Sequence, residues 1–174
     1  QISMSISVQN MFNGPVYDLQ WLLTKAEREL QRAMSSHFDF TMDAANFSVT
    51  IAHAADWAFA LKPAKFSSFQ KIGDVIQWVQ SQCFQAALFF DISNEFKHAD
   101  RSRPSATTAQ LLLKFETVAA GFNVASRADG KRIFTSDSKG RTWIFTPVIK
   151  CQDGSEHLFK DCADEALRWW KSVI

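Results

Sequence analysis

Apolar residues recur at helical spacing through roughly the first hundred positions and at strand spacing after that. Val16, Leu19, Leu22, Leu23, Ala26, Leu30 and Ala33 form one helical stripe after Gly14-Pro15, with Lys25, Arg28, Glu29 and Arg32 expected to face away. A second helix is predicted over 41–61, stopped by Pro63. Ser67-x-x-Gln70 has capping-box spacing and is expected to open a third, with Phe69, Ile72, Val75, Ile76 and Val79 inward. A fourth runs over 84–98, apolar almost throughout to Phe90. Neither Gly nor Pro separates the third helix from the fourth. Four helices with short connections favour a bundle.

The later pattern changes period. Segments 111–118, 131–135 and 141–150 are rich in Ile, Phe, Val, Trp and Thr, and Asp129-Gly130 and Lys139-Gly140 supply hairpin glycines. Gln152-Asp153-Gly154 marks a further turn before 156–159, and a last helix is predicted over 161–173. The fold class is therefore α+β: a bundle over 1–98, a linker or surface loop over 99–108, and a small antiparallel meander with a closing helix over 109–174. The two parts are expected to pack as one unit.

Charge follows the same division. Residues 1–98 carry 7 Lys+Arg against 9 Asp+Glu, and residues 99–174 carry 12 against 9. The whole chain of 174 residues is balanced at +1, which gives no global bias toward nucleic acid or acidic partners. A basic cluster, Arg127, Lys131, Arg132, Lys139 and Arg141, is diluted by Asp129 and Asp137 and is expected to solvate hairpin tips. No apolar run approaches the roughly 20 residues of a bilayer span, and Gln1 to Asn13 has no signal-peptide pattern. Cys83, Cys151 and Cys162 are widely spaced with no C-x-x-C pair, which suits a reducing cytoplasm. Sixteen Phe and six Trp supply core surface, and Trp143, Trp169 and Trp170 are expected there.

Two helices carry polar residues where periodicity wants apolar ones. Asn46, Thr50, His53 and Asp56 form a stripe on the second, and Asp91, Asn94 and His98 share a face of the fourth. Buried polar groups need partners, so the two stripes are expected to face one another and enclose a polar pocket. A sealed hydrogen-bond network that fixes helix register would use the same residues without any ligand. His53, Asp56, Asp91 and His98 have ligand types suited to Zn²⁺ or Fe²⁺, but their spacing matches no established signature. No metal or other cofactor is expected. His37 and Asp39 suit turn and capping roles, and no nucleotide-binding or hydrolase signature occurs.

His53-Ala-Ala-Asp56-Trp57, followed by Asp91-Ile-Ser-Asn94-Glu-Phe-Lys97-His98, resembles a group of uncharacterised bacterial proteins. Those proteins share an H-x-x-D-W helix, a D-I-x-N-x-x-K-H helix, a small β segment and a C-terminal helix with Trp. More remotely the helical half is similar to the HEPN superfamily, many of whose members are dimeric ribonucleases of toxin–antitoxin and phage-defence systems. The resemblance implies an RNA-directed protein with His98, Asn94 and Asp91 as catalytic candidates. His53, Asp56, Lys97 and Arg101 would be binding candidates, and the homodimer would form through the helical part. HEPN nucleases place an Arg ahead of the polar residue, whereas Asp91 to Ser93 contain none, and Arg101 and Arg103 follow His98. Loss of such an electrostatic stabiliser typically costs ~10²–10³ in rate, so an impaired relative is expected. The alternative is a non-enzymatic interaction or immunity-type module, with a cognate protein as partner and the polar stripes structural; a metal enzyme is third.

Overall fold

The computed structural model describes residues 18–35, 40–97, 109–118, 133–136 and 142–174. Within them the architecture is α+β. Helices α1 (Leu19–Ser35), α2 (Phe40–Leu61), α3 (Ile72–Gln82) and α4 (Phe84–Lys97) precede strands β1 (Gln110–Val118), β2 (Ile133–Ser136), β3 (Thr142–Lys150) and β4 (Glu156–Leu158). Helix α5 (Phe159–Val173) follows, and a short 3₁₀ turn, Ala64–Phe66, links α2 to α3. Gly14, Pro15, Val16, His37, Asp39, the 99–108 segment, the two hairpin glycine pairs and the basic cluster apart from no member lie outside the described residues.

Local chemistry explains most boundaries. Asp18 caps α1, its carboxylate accepting the Trp21 N–H at 2.7 Å. Helix α2 ends where Lys62 turns left-handed at φ 47° and donates its N–H to Ala58 O, just ahead of Pro63. The capping box expected at Ser67 does not form. Ser67 Oγ donates to Ala64 O, Gln70 reaches only Ser68 O, and α3 starts later, after an extended Lys71 with no side-chain cap. The 3₁₀ turn has already claimed that serine.

The unsignalled break between α3 and α4 is made by Cys83. It is extended, its N–H closes α3 on Val79 O, and its sulfur accepts the Ala86 N–H at 3.4 Å to begin α4. A cysteine is not a usual cap, which is why no sequence rule marks the site.

The sheet corrects the meander. Its order is β1-β3-β2, with β4 also paired to β3, so β3 is central and β1 joins it rather than β2. The β1–β3 register runs unbroken from Gln110↔Lys150 to Val118↔Thr142. Buried Phe145 meets Phe40 of α2 edge-to-face. Phe159, at the start of α5, touches Phe40, Phe47 and Phe89 in the same manner. One interlocked set of rings thus joins α2, α4, β3 and α5. Trp170 is fully buried and stacks on Phe66; Trp169 is half-buried beside Trp78. The side chain of Trp143 is outside the described set.

Helix α4 is buried continuously from Ala86 to Ser93. A helix enclosed on all sides is the centre of its domain. That position, more than any cleft, governs what its polar residues can do.

Candidate functional site

Thr50, the buried member of the α2 stripe, faces α1. Thr50 Oγ1 accepts a hydrogen bond from Lys25 Nζ at 2.6 Å, and the same ammonium binds Glu29 Oε1 at 2.5 Å. Toward the other end of the seam Arg32 Nε reaches Asp43 Oδ1 at 3.2 Å. Trp21 stacks on Trp57 at 6.0 Å between centroids. These partners pair falling numbers on α1 with rising numbers on α2, so the helices run antiparallel along a mixed polar and aromatic seam.

The face of α2 toward α4 is apolar. Phe47 packs on Phe89 at 5.1 Å, and Ile51, Ala54, Ala55 and Ala58 continue the buried surface. Nine residues at about 100° each set Asp56 about 180° from Phe47, and Asp56 is exposed. His53 is half-buried on the α1 side, and Asn46 is exposed. Of the α2 stripe, Thr50 thus meets α1 while Asn46 and Asp56 are exposed, and Phe47 packs on α4; the His98 end of the expected pocket lies outside the described residues. The periodicity was right, but the neighbour across the seam is α1.

On α4, Asp91 is only 3% exposed while Asn94, one turn on, is exposed. Asp91 and His53 both have interaction partners. Lys97 ends the helix, with its side chain outside the described set; His98 and Arg101 lie outside the described residues. Asp91 and Asn94 thus sit one turn apart on α4, one buried and the other exposed. Among the described residues, no three His, Cys, Asp or Glu side chains gather as metal ligands.

Glu29 was expected to face solvent, yet it is 4% exposed. The signal was available: positions 22, 26, 29 and 33 share one helical stripe, and Leu22, Ala26 and Ala33 are all buried. Glu29 Oε2 finds no hydrogen-bond partner among the described residues, so Lys25 carries its compensation. This arrangement fixes how α1 sits on α2.

Two of the three thiols, Cys83 and Cys162, are buried, and Cys151 is half-buried. Burial pushes the Cys83 thiol up and drives Cys162 up to about 12, with Asp161, Cys151 and Cys83 adding to the latter by charge. Thiols kept protonated in apolar surroundings are poor nucleophiles and ligands. A shallow groove of about 400 Å³ lies between α1 and α5, lined by Glu27, Leu30, Met34, Lys160, Asp164 and Leu167. Its charges are already matched, Lys160 with Asp164 and Glu27 with Lys171. None of the sequence-predicted site residues lines it.

Comparison with models of known families, with curated proteins and with solved structures gives no match.

Proposed function

We propose that this protein is a non-enzymatic interaction module of the immunity type, its partner a cognate protein, and its polar stripes part of the framework. The observation carrying this reading is the Lys25–Glu29–Thr50 network. It makes Thr50 of the α2 stripe part of the contact between α1 and α2. Inward, protonated thiols and a groove with matched charges fit the same reading.

The second reading is an RNA-directed, HEPN-like protein of a toxin–antitoxin or phage-defence system, catalytically impaired for want of the arginine. Its support is Asn94, an exposed amide one turn from the end of α4 and four residues before His98. In that reading His98 is the acid–base group, Asn94 and Asp91 position it, and His53, Asp56, Lys97 and Arg101 contact the nucleic acid.

One experiment divides the two. Purified protein is incubated with single-stranded RNA in the presence of a chelator, alongside His98→Ala. The interaction reading expects RNA that is neither bound nor cleaved by either protein, whereas an impaired HEPN-like protein would still bind it. Cleavage by the parent that disappears in His98→Ala, with thermal stability within about 1 kcal/mol, would overturn it in favour of the second reading.

A further inference from the structure

Among the described residues, strand β1 is the long open edge of the sheet. It pairs with β3 over its full nine residues, and no second strand joins it among the described residues. The opposite edge of β3 is partly covered by β2 and β4, of four and three residues. Natural proteins usually blunt a free edge with proline, a bulge, a very short strand or charged side chains, and of these β1 has only the charges, Lys114 and Glu116. Gln110–Val118 has no proline or glycine, and its register with β3 stays constant from end to end, so no bulge interrupts it.

The residues along this edge are self-complementary in one register. An antiparallel copy centred on Phe115 sets position 114 against position 116, so Lys meets Glu twice about the two-fold axis. The same alignment sets Phe115 against Phe115, Leu113 against Thr117 and Leu112 against Val118. The neighbouring registers that keep each strand's two faces aligned are centred on Lys114 or on Glu116. Those would set like charges directly opposite, which is destabilising.

We propose that the outer edge of β1 pairs with the same edge of a second copy of this chain, antiparallel and centred on Phe115. The pairing makes one continuous sheet across the dimer. Main-chain hydrogen bonds supply its affinity, and the 114–116 charge pairs supply its register. An isologous contact of this kind closes at two copies. The inference stands on β1 alone and does not depend on what the module binds.

The test is the molar mass of the full chain across low- to high-micromolar concentration, by light scattering and sedimentation equilibrium. A concentration-dependent dimer is expected. Lys114→Glu and Glu116→Lys should each weaken it about tenfold or more, because each puts like charges opposite one another twice. The double exchange Lys114→Glu with Glu116→Lys should restore it. Lys114 also bonds Glu156 within the chain, so Glu156→Gln serves as the control and should leave the dimer unchanged. A monomer at all concentrations overturns the proposal. So does a dimer indifferent to both single exchanges, which would place the contact on another face, such as the helices. A chain that dimerises only after residues 1–9 are deleted overturns it as well, since its own N-terminal segment would then occupy the edge.

Discussion

Glu29 shows how a single side chain decides what a polar pattern means. Its carboxylate is buried and its salt-bridge partner, Lys25, keeps 43% of its side chain exposed. Lys25→Ala would leave that carboxylate without its counter-charge. Because the lysine is partly solvated, the expected loss is about 1–2 kcal/mol, below the cost of breaking a fully buried pair. Urea denaturation at neutral pH measures it, and an unchanged midpoint would show the seam to be incidental. Cys162 makes a second case. Its thiol is held near 12 in the fold against an ordinary value of 9.0. The folded state therefore retains a proton that the unfolded chain releases, and this contribution is complete below about pH 9 and lost as pH rises toward 12. Cys162→Ala should flatten the fall of stability across that window relative to the parent. Alkylation at pH 8 should mark half-buried Cys151 ahead of buried Cys83 and Cys162, and equal labelling of all three would contradict the inward placement.

Helix termini separate what a local rule can see from what it cannot. Asp18→Ala removes the acceptor of the Trp21 N–H and should cost about 1 kcal/mol, whereas Ser67→Ala removes only a bond to Ala64 O and should cost a few tenths. Equal losses in thermal melts would mean that the Ser67 motif caps after all. Among the described residues, the five helices and four strands were legible to within a few residues, because apolar period and Pro63 are local signals. Three things were not. Cys83 ends one helix and begins another with a residue outside the usual cap set. The strand order depends on which strand β1 meets after a long connection, and hairpin glycines report only sequential neighbours. The polar stripes were legible as stripes, yet a helical period gives an angle and not a partner. Thr50 therefore met Lys25 of α1, where the α2 stripe had been expected to face that of α4.

The molecule as a whole is built around α4 and one set of aromatic rings. Phe159 contacts Phe40 and Phe47 of α2 and Phe89 of α4, although it lies 70 positions beyond Phe89 in the chain. Trp170 fills the space beside Phe66 and is completely buried. The N-terminal helices thus draw two of their largest core residues from α5, while the sheet reaches the helices through Phe145. A fragment of residues 1–98 would expose the surfaces that Phe159 and Trp170 now cover. It is expected to lack a cooperative thermal transition while keeping part of its helical content by circular dichroism as collapsed structure. In the full chain, Phe159→Ala should cost about 3–5 kcal/mol, and it should lower the unfolding of helices and sheet together, in a single transition. Near-ultraviolet circular dichroism, which follows the Trp environments, and far-ultraviolet circular dichroism, which follows the helices, should then give coincident melting curves. Two separated transitions in the parent, or a cooperatively melting 1–98 fragment, would show the bundle to be a unit that stands without its C-terminal partner.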